Sequence, residues 1–174
     1  MRRSAPVFVA LGMALANPAA ALAASNATSP CVAILVASPE ETPKGKFGTT
    51  FSATKTSDLT FSVAFEKAFA GEHSLGLRIL TPRGFLYQSV TVPVAIGGTG
   101  SGTRNVQGYP RSVPVRSGQA FSYKGNTLWK VDVPFPVGGT EIGRNSLYGT
   151  WKVLAYVDGS PDPCGAPATF GIGP

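Results

Sequence analysis

Histidine occurs once and cysteine twice in the 174 residues. That is too few for a conventional zinc site or a cysteine-rich scaffold. Charge is also sparse, with 9 acidic and 15 basic residues making 14% of the chain. Against 43% hydrophobic residues, this excludes a disordered chain, which needs high charge and few apolar groups. No heptad pattern suggests a coiled coil, and the 21 Gly and 15 Pro lack the collagen period. Beyond the N-terminal segment no window keeps apolar residues at i, i+3 and i+4, and residues 65–71 have room for one helical turn at most. What is left is the composition of a loop-rich all-β domain.

Residues 1–23 read as a secretory signal peptide. Arg2 and Arg3 form its basic start. Residues 5–16 give an apolar run of about a dozen, against the roughly 20 needed to span a bilayer. Asn17-Pro18 breaks the run, and Ala21-Leu22-Ala23 supplies a small-x-small cleavage pattern. Cleavage is expected between Ala23 and Ala24. Pro30 before Cys31 argues against a lipidation box. The short Ala-rich signal points to a bacterial exported protein, periplasmic or extracellular, without a membrane span. Losing Arg2 and Arg3 takes the formal charge from +6 to +4. The remaining basic residues are scattered, unlike the clustered stripe of a nucleic-acid binder. They leave room for weak attraction to an anionic wall or lipid surface.

Alternation dominates the remainder. Leu59, Phe61, Val63 and Phe65 share one face, with Thr60, Ser62 and Ala64 on the other. That period of two marks a half-buried strand. The same test passes at 73–80, 127–133 and 150–157, and more weakly at 31–37, 47–54, 85–92, 119–124 and 168–172. Trp129 and Trp151 fall on apolar faces and are assigned to the core. Thr81-Pro82-Arg83-Gly84 has the chemistry of a β-turn, Gly125-Asn126 reads as a hairpin loop, and Asp158-Gly159 closes the strand before it. Pro134 and Pro136 cannot donate to a ladder, so their strand must become an edge or end there. Eight or nine such strands imply an antiparallel two-sheet sandwich. Residues 24–174 are read as one domain, long enough to bury roughly 68–70% of the unfolded surface.

Cys31 opens the first of these strands and Cys164 follows the last long one. In an exported chain the simplest outcome is a single disulfide, which requires Cα atoms within about 7 Å. No basic or helical surroundings mark either residue as redox-active.

Residues 95–118 stand apart. The first half is rich in Gly, Ser and Thr, hence flexible by composition. The second carries Tyr109, Arg111 and Arg116 between prolines. A loop of this length is either functional or disordered. If functional, those three side chains form the partner-binding surface.

Catalytic signals are thin. His73 lies between Glu72 and Ser74, but neighbours in a strand point to opposite faces, and no Gly-x-Ser-x-Gly elbow occurs. No catalytic residue is assigned. Asp158 and Asp162, with nearby carbonyls, are the only pair with a claim on Ca²⁺, and two acids fall short of the usual oxygen ladder. No cofactor or metal is therefore expected. Tyr87, Tyr109, Tyr123, Tyr148 and Tyr156 are free to be exposed, where aromatics stack on sugars or fill a partner's pocket.

Two stretches carry a family likeness. Leu77-Arg78-Ile79-Leu80-Thr81-Pro82-Arg83-Gly84 is similar to the strand-Pro-x-Gly-strand element of bacterial immunoglobulin-like domains. Ser146-Leu147-Tyr148-Gly149-Thr150-Trp151-Lys152-Val153 resembles their Gly-x-Trp-x-Val strand. Jelly-roll domains appended to secreted subtilisin-type proteases show both elements in the same order, although there they accompany a catalytic domain that this chain lacks. The resemblance implies an immunoglobulin-like sandwich with an adhesive or accessory binding role, and no catalytic residue carries over. The expectation is a non-catalytic protein at the cell envelope or outside, structural or protein-binding, its partner an unknown protein or polysaccharide. A carbohydrate-binding module is the alternative, marked by coplanar exposed aromatics on one sheet face. A small hydrolase is the third, marked by His73 in reach of a serine and an acid.

Overall fold

Alternation becomes pairing in the structure, a computed structural model that describes residues 29–174. The strands are β1 (Cys31–Ala37), β2 (Thr50–Ser52), β3 (Asp58–Phe65), β4 (Gly71–Leu80), β5 (Leu86–Ile96), β6 (Thr103–Arg104), β7 (Val113–Pro114), β8 (Arg116–Ser117), β9 (Gln119–Tyr123), β10 (Asn126–Pro136), β11 (Gly149–Val157) and β12 (Ala168–Gly173), with one helical turn, α1 (Glu141–Arg144), before β11. The expected signal peptide lies outside the described residues.

One sheet runs β1-β3-β10-β9, a second β2-β12-β11-β4-β5-β8, and β6 and β7 form a two-stranded ribbon. The expectation of eight or nine antiparallel strands is corrected on two counts. The described residues form twelve strands, because β6, β7 and β8 are two-residue bridges too short to carry a period. The pairing is also mixed, since β2 joins β12 and β8 joins β5 in parallel. Both parallel partners are short strands at the edge of the six-stranded sheet. The helical turn was not expected either. Its Thr140 cap accepts from the Ile142 amide, with Glu141 in the first turn and Arg144 in the last, favourable charges at each end.

The apolar faces of both larger sheets feed a single buried cluster. Phe61, Val63, Phe65, Val131 and Trp151 are each 0% exposed. Phe61 stacks on Phe135 at 5.2 Å and tilts against Phe170 at 5.4 Å across the cluster. Burying each such side chain is worth about 1.5–3 kcal/mol relative to exposure. The Trp151 indole Nε1 donates to the Leu147 carbonyl at 3.0 Å, so its one polar atom is satisfied. Trp129 is a partial exception to its core assignment. It packs against the cluster half-buried, over Gly97, where an added Cβ would lie 3.1 Å from the indole.

Pro134 and Pro136 sit beyond the last β9 pairing of β10, at Lys130, where β3 is the only neighbour. They take the edge that prolines tolerate. Gly84 donates to the Thr81 carbonyl at 2.9 Å, closing the anticipated Pro-x-Gly turn. The next hairpin is shifted by one residue. Lys124 (φ 49) and Gly125 (φ 82) are its central pair, and Asn126 already pairs with Tyr123. Two positive φ values make this a type I′ turn, whose twist matches the strands.

Cys31 and Cys164 are bonded, with Cα atoms 5.3 Å apart across 133 residues of sequence. The bridge fastens an edge strand of the four-stranded sheet to the segment after β11. Gly165 beside it is obligatory, because a Cβ there would lie 2.6 Å from the Cys31 carbonyl oxygen.

Candidate functional site

Two suspects from different parts of the sequence meet in one cleft of about 630 Å³, lined by Glu72, His73, Thr91, Arg104, Asn105 and Asp158 among others. His73 comes from the start of β4, and Arg104 and Asn105 from the 95–118 segment. Asp158 comes from the turn after β11.

Asp158 holds this corner together. It has φ 52 and Gly159 has φ 71, a second type I′ turn closed by the Ser160 amide donating to the Val157 carbonyl at 2.9 Å. Aspartate is among the few residues that tolerate this conformation. The turn aims the carboxylate back at β4, the antiparallel neighbour of β11. Oδ1 accepts the Ser74 amide at 2.8 Å, and Oδ2 lies 2.8 Å from His73 Nδ1. Facing a carboxylate, Nδ1 carries the ring proton. The imidazole also stacks on Phe69, with centroids 4.0 Å apart. Nε2 is buried without a hydrogen-bond partner, and a Cβ on Gly71 would lie 3.2 Å from it.

A carboxylate–imidazole pair orients a general base when the far nitrogen meets a hydroxyl or thiol. Here Nε2 meets neither. Ser74 joins the cluster through its backbone amide, as the donor to Asp158. Glu72 is turned away from His73 and holds Arg104 through both carboxylate oxygens at 3.2 Å. The acid beside His73 is thus Asp158, 85 residues away, and not its sequence neighbour. Among the described residues no group of three or more His, Cys, Asp or Glu side chains converges.

The 95–118 segment is held at several points. Residues 95 and 96 complete β5. Arg104 pairs with Val113 and Thr103 with Pro114 in the small ribbon. Gly118 donates to the Ala95 carbonyl at 2.7 Å, and Gly100 to Ser117 Oγ at 2.8 Å. Of its three candidate contact residues, Tyr109 uses its hydroxyl to accept the Thr91 amide at 2.9 Å. This satisfies the free edge of β5 at a point that β8 does not reach, since β8 pairs only at Val94 and Ala95. Arg116 donates to the Asp132 carbonyl at 3.3 Å and so ties β8 to the open edge of β10. Arg111 is exposed and makes no side-chain hydrogen bond or ion pair among the described residues.

The remaining tyrosines divide by environment. Tyr87 meets Trp151 edge-on at 5.1 Å, and Arg78 lies 4.6 Å over the ring of Tyr156. Tyr123 lies beside Phe121 on β9, with centroids 6.1 Å apart and planes at 29°. Sequence reading missed Asp132, Ser62 and Lys130 as a group. Ser62 and Asp132 are cross-strand partners on β3 and β10, and their proximity requires knowing that those strands are adjacent. No family model matches the chain, and no curated protein is similar to it.

Proposed function

We propose that the protein is an exported, non-catalytic binding module of immunoglobulin-like sandwich design, acting on a protein partner at the cell envelope or outside. The observation that carries this reading is the division of labour in the 95–118 segment. Its backbone, Tyr109 hydroxyl and Arg116 are spent on anchoring, while the Arg111 guanidinium and the 39% exposed Tyr109 face outward. Arg and Tyr are the side chains most often found at the energetic centre of interfaces, and an anchored loop loses little entropy on binding. The disulfide is consistent with an oxidising compartment. No helix among the described residues is long and apolar enough to cross a membrane.

The hydrolase alternative is disfavoured by the buried, unpartnered Nε2 of His73, which has no nucleophile to activate. The test pairs two assays. Affinity capture from the native envelope fraction with Arg111→Ala, compared with the unmodified protein, is expected to lose at least tenfold in recovered partner while the melting temperature stays the same. Undiminished capture overturns the proposal. So does ester, peptide or glycoside hydrolysis that disappears in His73→Ala.

A further inference from the structure

We infer a second binding site, on the outer face of the four-stranded sheet, for a saccharide bearing carboxylate groups. On this face Thr60, Ser62 and Ala64 of β3 alternate outward, yet Ser62 is 2% exposed and Ala64 0%. The segment 38–47 lies against the sheet here and leaves a cleft of about 400 Å³ between itself, β3, β9 and β10. That volume is within the ordinary range of ligand pockets, about 300–1,000 Å³.

The floor is polar and built. Asp132 accepts from Ser62 Oγ at 2.5 Å and from Lys130 Nζ at 2.5 Å. Lys130 and Asp132 are two apart on β10, so both side chains project to this face. The Arg116 hydrogen bond to the Asp132 carbonyl fixes the same residue from the backbone side. Carboxylate, ammonium and hydroxyl are therefore pre-positioned, the set that recognises sugar hydroxyls as donors and acceptors together. Phe121 lines the wall. With Tyr123 it forms an aromatic pair along β9, at the tilt of 29° given above. A flat, half-exposed ring next to hydrogen-bonding groups suits a pyranose, which has an apolar C–H face and a polar rim.

Charge selects the kind of sugar. Three lysines, Lys44, Lys46 and Lys130, line the cleft against the single carboxylate of Asp132. Lys130 is neutralised by that carboxylate, whereas Lys44 and Lys46 make no ion pair among the described residues. The neighbouring acids Glu40 and Glu41 keep their charge but do not line the cleft. Glu40 and Glu41 point into the loop's own anchoring, Glu40 to Ser38 and Ser57 and Glu41 to Ser52 and Thr56. Two uncommitted cations at the rim of a polar, aromatic-walled cleft favour an anionic ligand. The site is separate from the Arg111 surface, so either can fail without the other.

The test is calorimetric titration of the oxidised protein with an oligogalacturonate, its methyl-esterified counterpart and inorganic phosphate. The acidic oligosaccharide is expected to bind, the ester at least tenfold more weakly, and affinity for the acid to fall as salt is raised. Lys44→Glu/Lys46→Glu, both exposed, is expected to reduce binding of the acid at least tenfold and to leave the ester unaffected. Phe121→Leu keeps the apolar volume but removes the flat ring, and is expected to weaken both sugars. Absence of binding at millimolar oligogalacturonate overturns the inference. So do equal affinities for acid and ester, full competition by phosphate, and binding untouched by the lysine reversals.

Discussion

A Cβ on Gly165 would stand 2.6 Å from the Cys31 carbonyl oxygen, and backbone cannot yield as a side-chain tip can. Gly165→Ala is expected to cost about 1–3 kcal/mol, the range for forced overpacking, read as a lower urea midpoint with an unchanged slope. Asp158 makes the opposite case, where shape and charge separate. Asn tolerates the same positive φ, so Asp158→Asn keeps the turn but loses the charge on the His73 and Ser74 contacts. A loss of about 1 kcal/mol is expected from weakening these hydrogen bonds; no change would mean that the turn alone positions β4. At this scale the two cysteines were legible, because their number and the expected export signal leave few alternatives. The His73–Asp158 pair was not, since it depends on β4 lying beside β11, and no residue in either strand announces its neighbour.

Among the elements, all nine strands expected from alternation are present, some ends unmoved and the others shifted by one to four residues. Alternation is a statement about one face being buried, so it finds strands that contribute to the core. It is blind to β6, β7 and β8, which pair through backbone and bury little. It also passed over α1, whose Thr-Glu-Ile-Gly-Arg-Asn run has a cap and paired end charges but no room for a helical stripe. The outer edge of β5 shows the consequence. At Thr91, beyond the reach of β8, the edge is finished by the Tyr109 hydroxyl and not by a strand. Tyr109→Phe removes the acceptor of the Thr91 amide, worth about 0.5–1.5 kcal/mol. Faster amide exchange at Thr91, with Gly118 unaffected, is the expected nuclear magnetic resonance result. Equal exchange at Thr91 in both proteins would show that solvent already serves that amide.

For the whole molecule, the disulfide and the acid groups of the 38–47 segment set the conditions of stability. The bridge closes a 133-residue span, and in the chain-entropy view a loop of 100 residues is worth about 4.7 kcal/mol. Cys31→Ala/Cys164→Ala is expected to lose about 2–5 kcal/mol, measured by chemical denaturation. Glu40 and Glu41 are both held below the usual carboxylate value of 4.5, Glu40 first by the Ser38 hydroxyl and Glu41 first by the Thr56 hydroxyl. A carboxyl with a depressed folded value binds its proton more readily when unfolded. Its contribution is therefore complete above the ordinary value and is lost as pH falls through the depressed one. Thermal stability should decline as pH falls below about 4.5, and less so in Glu41→Gln; a parallel decline in both proteins would place the acid-sensitive group elsewhere.

The proposed role rests on Arg111 meeting a partner while the rest of its segment holds still. A photo-reactive side chain placed at the exposed position 110, beside an intact Arg111, in the oxidised protein and irradiated in the native envelope fraction tests this directly, with position 83 at the other end of β4 as the control. A discrete protein adduct is expected from position 110, competed away by excess unmodified protein and absent from position 83. No adduct from 110, or the same adducts from both positions, would contradict the account.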